Sequence, residues 1–263
     1  MKIRPENKEL RKYIDYYWIV KDSEKVFGSA TSILAYPGIS PELIIILDGN
    51  LTFSYENKFI STSNSLLENH IKRNFTLYPQ TLKSFIFVRF KSKSLASLVP
   101  FLNESASELA KVDLSDANKV FGKEFKLFTN HLRNLYPESI AEALDEWFYS
   151  KLNKNHNGFV TEFFQEIGYT NTLKELKEYT NYSYSTLERY FKKETGMTPK
   201  KFQTLKRYKA AVEEIYDTNN NDWFHYILKF GYHDQSHFIK EIKKFTTFTP
   251  EQLLHISSLR TYR

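Results

Sequence analysis

The chain has 263 residues, 41% of them hydrophobic and 16% aromatic, and a formal net charge of +6, so it is long enough for two separate cores. It contains no cysteine, which excludes disulfide staples, thiolate metal sites and cysteine nucleophiles and fits a reducing cytoplasm. Its first residues hold no apolar run of signal-peptide length, and no stretch approaches the ~20 apolar residues of a membrane span; a soluble cytoplasmic protein with no membrane partner is expected.

Leu10, Tyr13, Ile14 and Tyr17-Trp18 predict a short amphipathic helix running into a strand. Residues 27–60 read as β structure. Tyr36-Pro37-Gly38 and Ser40-Pro41 punctuate the approach to a compact apolar run, Leu43 to Leu47. Asp48-Gly49-Asn50 signals a hairpin with Leu51 to Tyr55 as its return strand. Residues 84–90 form another strand, and together these predict a small barrel or sandwich with room for a pocket.

From Leu95 the period becomes helical, interrupted at Pro100. Further helices are expected over 107–112, 119–136 and 139–152, with Leu127, Phe128, His131, Leu132 and Leu135 on one face. The fold class expected is an α+β N-terminal domain, a small β-barrel or sandwich plus helices, over residues 1–152. A polar linker (153–158) leads to an all-α C-terminal domain (159–258) with two helix-turn-helix motifs.

The C-terminal part opens with a helix from Phe159 to Gly168 packing Val160, Phe163, Phe164 and Ile167. Residues 172–196 then read as helix, turn, helix. Leu173 and Leu176 give the first helix an apolar face, and Ser183 sits where an N-cap belongs. Leu187, Tyr190 and Phe191 make one buried stripe, and Gly196 is a C-terminal stop. Pro199 opens a connecting helix to about residue 217, buried along Phe202, Leu205, Tyr208, Ala211, Val212 and Ile215. Residues 222–246 repeat the first layout. Trp223, Ile227 and Leu228 form the core of the leading helix, Gly231 makes the turn, and Asp234 is the N-cap. Phe238, Ile242 and Phe245 make the stripe of the second helix, and Phe238 holds the place of Leu187, 51 residues on. Such second helices can enter a DNA major groove.

Charge supports that reading. Residues 1–159 and 160–263 each carry a net +3, but Ser183 to Lys209 holds eight basic side chains against Glu188 and Glu194. A local basic excess beside a recognition helix suits phosphate binding; by itself it also fits a solvated helix face.

Two such units joined by a long helix resemble the AraC/XylS family of bacterial transcription regulators. The resemblance spans about Gly158 to Leu254. It rests on Ser183, Leu187, Arg189 and Phe191, followed by Glu194-Thr195-Gly196-Met197-Thr198-Pro199. In the second unit it rests on Gly231-Tyr232, Asp234-Gln235-Ser236-His237-Phe238, Lys240, Phe245 and Thr249-Pro250. It implies base contacts from Ser185, Glu188 and Arg189, and from Gln235, Ser236, Ile239 and Lys240. It implies phosphate contacts from Thr172, Tyr184, Lys192, Lys193, Lys243 and Lys244. Arg189 can pair with guanine and Gln235 with adenine. Thr247 stands where the second unit usually has Gly, and Lys177 and Leu228 where each leading helix usually has Ala. Ile239 replaces the usual small or polar residue.

The N-terminal part, roughly Arg4 to Leu152, resembles a regulatory domain common in this family. The match lies in Tyr17-Trp18, Pro37-Gly38, Val88-Arg89-Phe90 and the apolar helix from Ser94 to Phe101. It implies a sensing or dimerising role. Arg89 is open to two readings, a partner for an anionic effector or a structural arginine in a local salt bridge. His233 and His237 have metal-ligand spacing but no nearby third ligand, and no metal or cofactor is expected. Nor does any G-x-S-x-G, H-E-x-x-H or phosphate-cradling glycine loop occur, so no enzyme is expected.

The function expected is an effector-responsive, sequence-specific transcription regulator. Its partners would be promoter DNA, a small-molecule effector, a second copy in a homodimer and, for an activator, RNA polymerase. The alternative is a ligand-binding or interaction module whose helical domain does not read DNA specifically.

Overall fold

The computed structural model describes residues 1–35, 38–56, 58–69, 75–91, 94–102, 106–109, 111–154, 177–178 and 182–255. The amphipathic start becomes β1 (Lys2–Ile3), a 3-10 turn (Leu10–Lys12) and β2 (Ile14–Val20). A short helix α1 (Glu24–Phe27) and β3 (Ile33–Ala35) precede β4 (Glu42–Gly49), β5 (Leu51–Tyr55), β6 (Lys58–Thr62) and β7 (Leu66–Glu68). Strands β8 (Phe75–Tyr78) and β9 (Leu82–Phe90) follow. The strands form two antiparallel sheets, ordered β1-β2-β9-β4-β7 with a late strand β10 (Leu114–Asp116) at the edge, and β3-β8-β5-β6.

The expected hairpin at Asp48-Gly49-Asn50 is not one. β4 pairs with β7 and β9, whereas β5 pairs with β6 and β8, so the turn carries the chain from one sheet to the other. Gly49 has φ +88 and lies hard against β9: a Cβ there would stand 2.2 Å from the carbonyl oxygen of Thr81. Only glycine tolerates that approach.

The apolar run of β4 is explained by burial on both faces, since successive side chains point to opposite sides. Leu43, Ile45 and Leu47 face one core with Tyr17, Ile86 and Val88. Ile44 and Ile46 face a second core between the sheets, with Phe53, Leu77, Phe85 and Phe87.

Residues 94–101 are two 3-10 turns (Ser94–Ser97 and Val99–Phe101) rather than one helix, with Pro100 opening the second. After α2 (Ala106–Leu109) and β10 come α3 (Ala117–Phe121), α4 (Lys123–Arg133) and α5 (Pro137–Lys151). The helix expected over 119–136 is broken at Gly122, φ +82. In α4 the buried series is Phe125, Thr129 and Leu132, flanked by Phe128 and Leu135, while Leu127 is 71% exposed and His131 faces solvent. Leu127 and His131 therefore leave the expected face: Phe125 sets the stripe one step away from them. These helices cover the first core, and α5 is tied down where Asp145 accepts from the Tyr17 hydroxyl at 2.8 Å and from the Asn7 N–H at 2.8 Å.

The C-terminal part contains α6 (Tyr184–Thr195), α7 (Pro199–Thr218), α8 (Trp223–Phe230), α9 (Gln235–Thr246) and α10 (Pro250–Leu254). This confirms the fold class, a two-sheet β-rich N-terminal domain with helices followed by an all-α C-terminal region. The expected helix at 159–168, the leading helix of the first unit and Thr172 lie outside the described residues. The helical core holds all six connector residues expected, and Ile39 and Ala96 from the N-terminal part join it. Among the described residues no helix is long and apolar enough to cross a membrane.

Candidate nucleic-acid interface

The two recognition helices are built by the same local chemistry, displaced by 51 residues. Ser183 caps α6 by accepting from Thr186 N–H, and Asp234 caps α9 by accepting from His237 N–H. Leu187 and Phe191 are buried in α6; Phe238 and Ile242 are buried in α9. Each helix closes on a threonine hydroxyl. Thr195 donates to the carbonyl of Phe191 at 2.7 Å and accepts from Met197 N–H at 3.2 Å. Thr246 donates to Ile242 at 2.8 Å and accepts from Phe248 N–H at 3.1 Å. The next residue turns left-handed in both, Gly196 at φ +72 and Thr247 at φ +68. Thr247 thus makes the same turn without a glycine. Thr198 and Thr249 then cap the following helices.

The outward faces carry the expected residues. Ser185, Glu188 and Arg189 are exposed on α6, with Tyr184, Lys192 and Lys193 alongside. Gln235, Ser236 and Lys240 are exposed on α9, with Lys243 and Lys244. Ile239 differs: it is half-buried and packs against the helical core.

The leading helix α8 needs a correction. Its buried residues are Tyr226, Ile227 and Phe230, with Trp223 partly covered, while Leu228 is 68% exposed. Leu228 therefore leaves the core face, because Tyr226 and Phe230 define a stripe on the other side of the helix. Gly231 is left-handed, φ +68, as the turn requires.

The basic excess near α6 is partly consumed inside the protein. Arg207 pairs with the buried Glu241 of α9, Nε to Oε1 at 2.9 Å, and lies over the Tyr232 ring. Lys209 turns away from the recognition helices altogether. His233 and His237 use their rings locally: His233 Nδ1 is 2.8 Å from Asp234, and His237 Nε2 is 3.7 Å from Glu241. Among the described residues no three His, Asp or Glu side chains gather as a metal site.

Lys209 instead faces a cavity of about 480 Å³ that sequence reading did not locate. Its walls are strands of both sheets and one side of α7. Across four strands Tyr16, Arg89, Glu42 and Glu68 are register partners in one row. Arg89 Nη1 pairs with Glu42 Oε1 at 2.8 Å, with both side chains largely buried. Of the two readings of Arg89, the structure therefore supplies the local salt bridge. Burial works against the Arg89 charge, but Glu42 and Tyr16 more than restore it, so its pKa is raised. Glu68, buried and next to Glu42, is pushed well above the usual carboxylate range. Lys209 is pushed down to about 8 by burial and by Arg89, against the pull of Glu42, Glu213 and Glu68. Gly38 leaves room for this ammonium, since a Cβ there would lie 3.3 Å from Nζ. The sequence signals were the Pro37-Gly38 pair and a lysine one step after the buried Tyr208.

Residues 176–255 match the family model for a helix-turn-helix domain. No curated protein matches the chain in sequence. Among solved structures it is similar to ToxT from Vibrio cholerae O395, at 12% identity and TM-score 0.43, over 91% of this chain and 95% of that one. A 1.65 Å structure of ToxT from Vibrio cholerae gives 12% identity and TM-score 0.46 over 85% and 96%. Unsaturated fatty acid-bound wild-type ToxT from Vibrio cholerae strain SCE256 gives 14% and 0.43 over 92% and 94%. The helix-turn-helix domain match covers both recognition helices, α6 and α9, and the connecting α7.

Proposed function

We propose that this protein is an effector-responsive regulator of transcription that reads promoter DNA with α6 and α9. The observation that carries this is the duplicated recognition helix, each copy presenting polar and basic side chains to solvent over a buried stripe. Ser185, Glu188 and Arg189 on α6, and Gln235, Ser236 and Lys240 on α9, read base edges. Tyr184, Lys192, Lys193, Lys243 and Lys244 hold phosphates, as does Thr172, which lies outside the described residues. Ile239 offers a methyl contact at most. The 20-residue α7 spans about 30 Å, which with its flanking helices suits two successive major grooves about 34 Å apart.

Residues 1–152 act as the regulatory part, with the cavity beneath α7 as the effector site, because its walls come from both the sheets and the connecting helix. Regulation of this kind is cytoplasmic and ends on RNA polymerase.

Selection from random duplex DNA at two salt concentrations tests the reading. An enriched site with two half-elements about one helical turn apart is expected, with affinity falling steeply as salt rises. Arg189→Ala should lower specific affinity by about tenfold or more and relax one position of the site. No enrichment by a folded protein would favour the interaction-module alternative.

A further inference from the structure

Among the ionisable groups lining the cavity, which include Lys2, Asp15, Glu213 and Asp217, two of opposite type, Glu68 and Lys209, do not meet. Glu68 stands on β7 and is 7% exposed; Lys209 stands on α7 and is half-buried. They sense one another electrostatically, yet among the described residues neither side chain makes a direct hydrogen bond or ion pair. Their neighbours Arg89 and Glu42 are already satisfied by each other. Charging either group here without a partner is costly, which is why both lean toward their neutral forms, and an occupant carrying the opposite charge at each end would restore the ionised forms. An anion would complete Lys209 and leave Glu68 facing a second negative charge. A cation would do the reverse. Leu34, Ile44, Phe75, Phe87 and Val212 supply an apolar wall beside the pair, and the cavity volume is that of a small-molecule site.

We infer that the cavity takes a small zwitterion with an apolar side chain, of the amino-acid type, its carboxylate on Lys209 and its ammonium on Glu68. This rests on the reading of the cavity as the effector site. Such a ligand bridges the β-rich part and the connecting helix with one charge each, so its binding changes how firmly α7 is held to the sheets. The polar ends fix orientation, and the apolar wall selects the side chain.

Calorimetric titration of the full-length protein with L-leucine, isocaproate and isoamylamine tests it, since the last two are leucine without its amino and carboxyl groups. Leucine should bind at least tenfold tighter than either. Glu68→Gln should weaken leucine tenfold or more while sparing isocaproate; Lys209→Met should weaken leucine likewise while sparing isoamylamine. Circular dichroism confirms that both near-isosteric variants fold, and the selectivity of the unaltered protein needs no variant. Isocaproate or isoamylamine binding as tightly as leucine, and weakened by one of the variants, overturns the zwitterion and keeps the site. Leucine bound equally by both variants overturns the cavity as the site. No binding of any probe overturns the proposal.

Discussion

The two recognition helices share a scaffold and differ in what they show to solvent. Cap, buried stripe, threonine hub and left-handed closure recur at an offset of 51 residues. Their reading faces diverge: Glu188 and Arg189 stand exposed on α6, where α9 has the half-buried Ile239 and Lys240. A helix-turn-helix therefore constrains backbone chemistry tightly and leaves its surface open to change. Under the proposed function the first helix discriminates bases the better, since an arginine such as Arg189 can make paired bonds whereas a lysine such as Lys240 is a point charge.

The strongest way to break the equivalence is at Glu241, whose counterpart in α6 is Tyr190. Glu241→Ala strips the ion pair from Arg207 and should cost roughly 3 kcal/mol, since removing one partner of a buried pair strands the other; urea unfolding measures it. The threonine hubs test whether the shared scaffold is shared energetically. Thr195→Val orphans the buried Met197 N–H and Thr246→Val the partly buried Phe248 N–H, and each should cost about 2 kcal/mol. A gap between them larger than about 1 kcal/mol would show that the two closures are not equivalent.

Smaller effects are expected at the left-handed residue. Thr247→Gly should stabilise by about 1 kcal/mol and Gly196→Ala destabilise by a similar amount, because a side chain in this conformation is strained. The subtlest difference is in acid. Asp234 accepts from His237 N–H and lies beside His233, which holds its pKa below the ordinary 3.8. The stability it contributes is fully present above that value and is lost as pH falls through the lower, folded-state pKa. Ser183 has no such titration. Asp234→Ser should make the acid limb of the stability–pH profile shallower, and an unchanged limb would assign it to other carboxylates.

Local signals were the legible ones. Ser183, Gly196, Gly231, Asp234 and the stripe of α7 all behave as their sequence neighbours dictate, because caps and periodicity are decided within a turn or two. Non-local pairing was not legible. The Asp48-Gly49-Asn50 signal is a turn, but which strand receives β5 is decided by β8, far along the chain. The short β10 is recruited only by the edge of β7. Leu228 and Leu127 are apolar yet exposed, so a tally of hydrophobic residues misplaces them. The cavity was beyond reach for the same reason: Glu42, Glu68, Arg89 and Lys209 become neighbours through register across three strands and packing of a distant helix. In sequence Lys209 reads as one more phosphate-facing lysine.

Ile39 and Ala96, which come from the β-rich part but are buried within the helical core, affect how the protein can be taken apart. A fragment beginning after residue 152 would lose both side chains and expose the helical surface they cover. The intact chain should then melt in a single cooperative transition rather than two, and the isolated helical fragment should melt earlier than any step of the whole. Modularity of sequence need not mean independence of folding: a terminal half can carry the recognition chemistry and still borrow part of its interior from the other half.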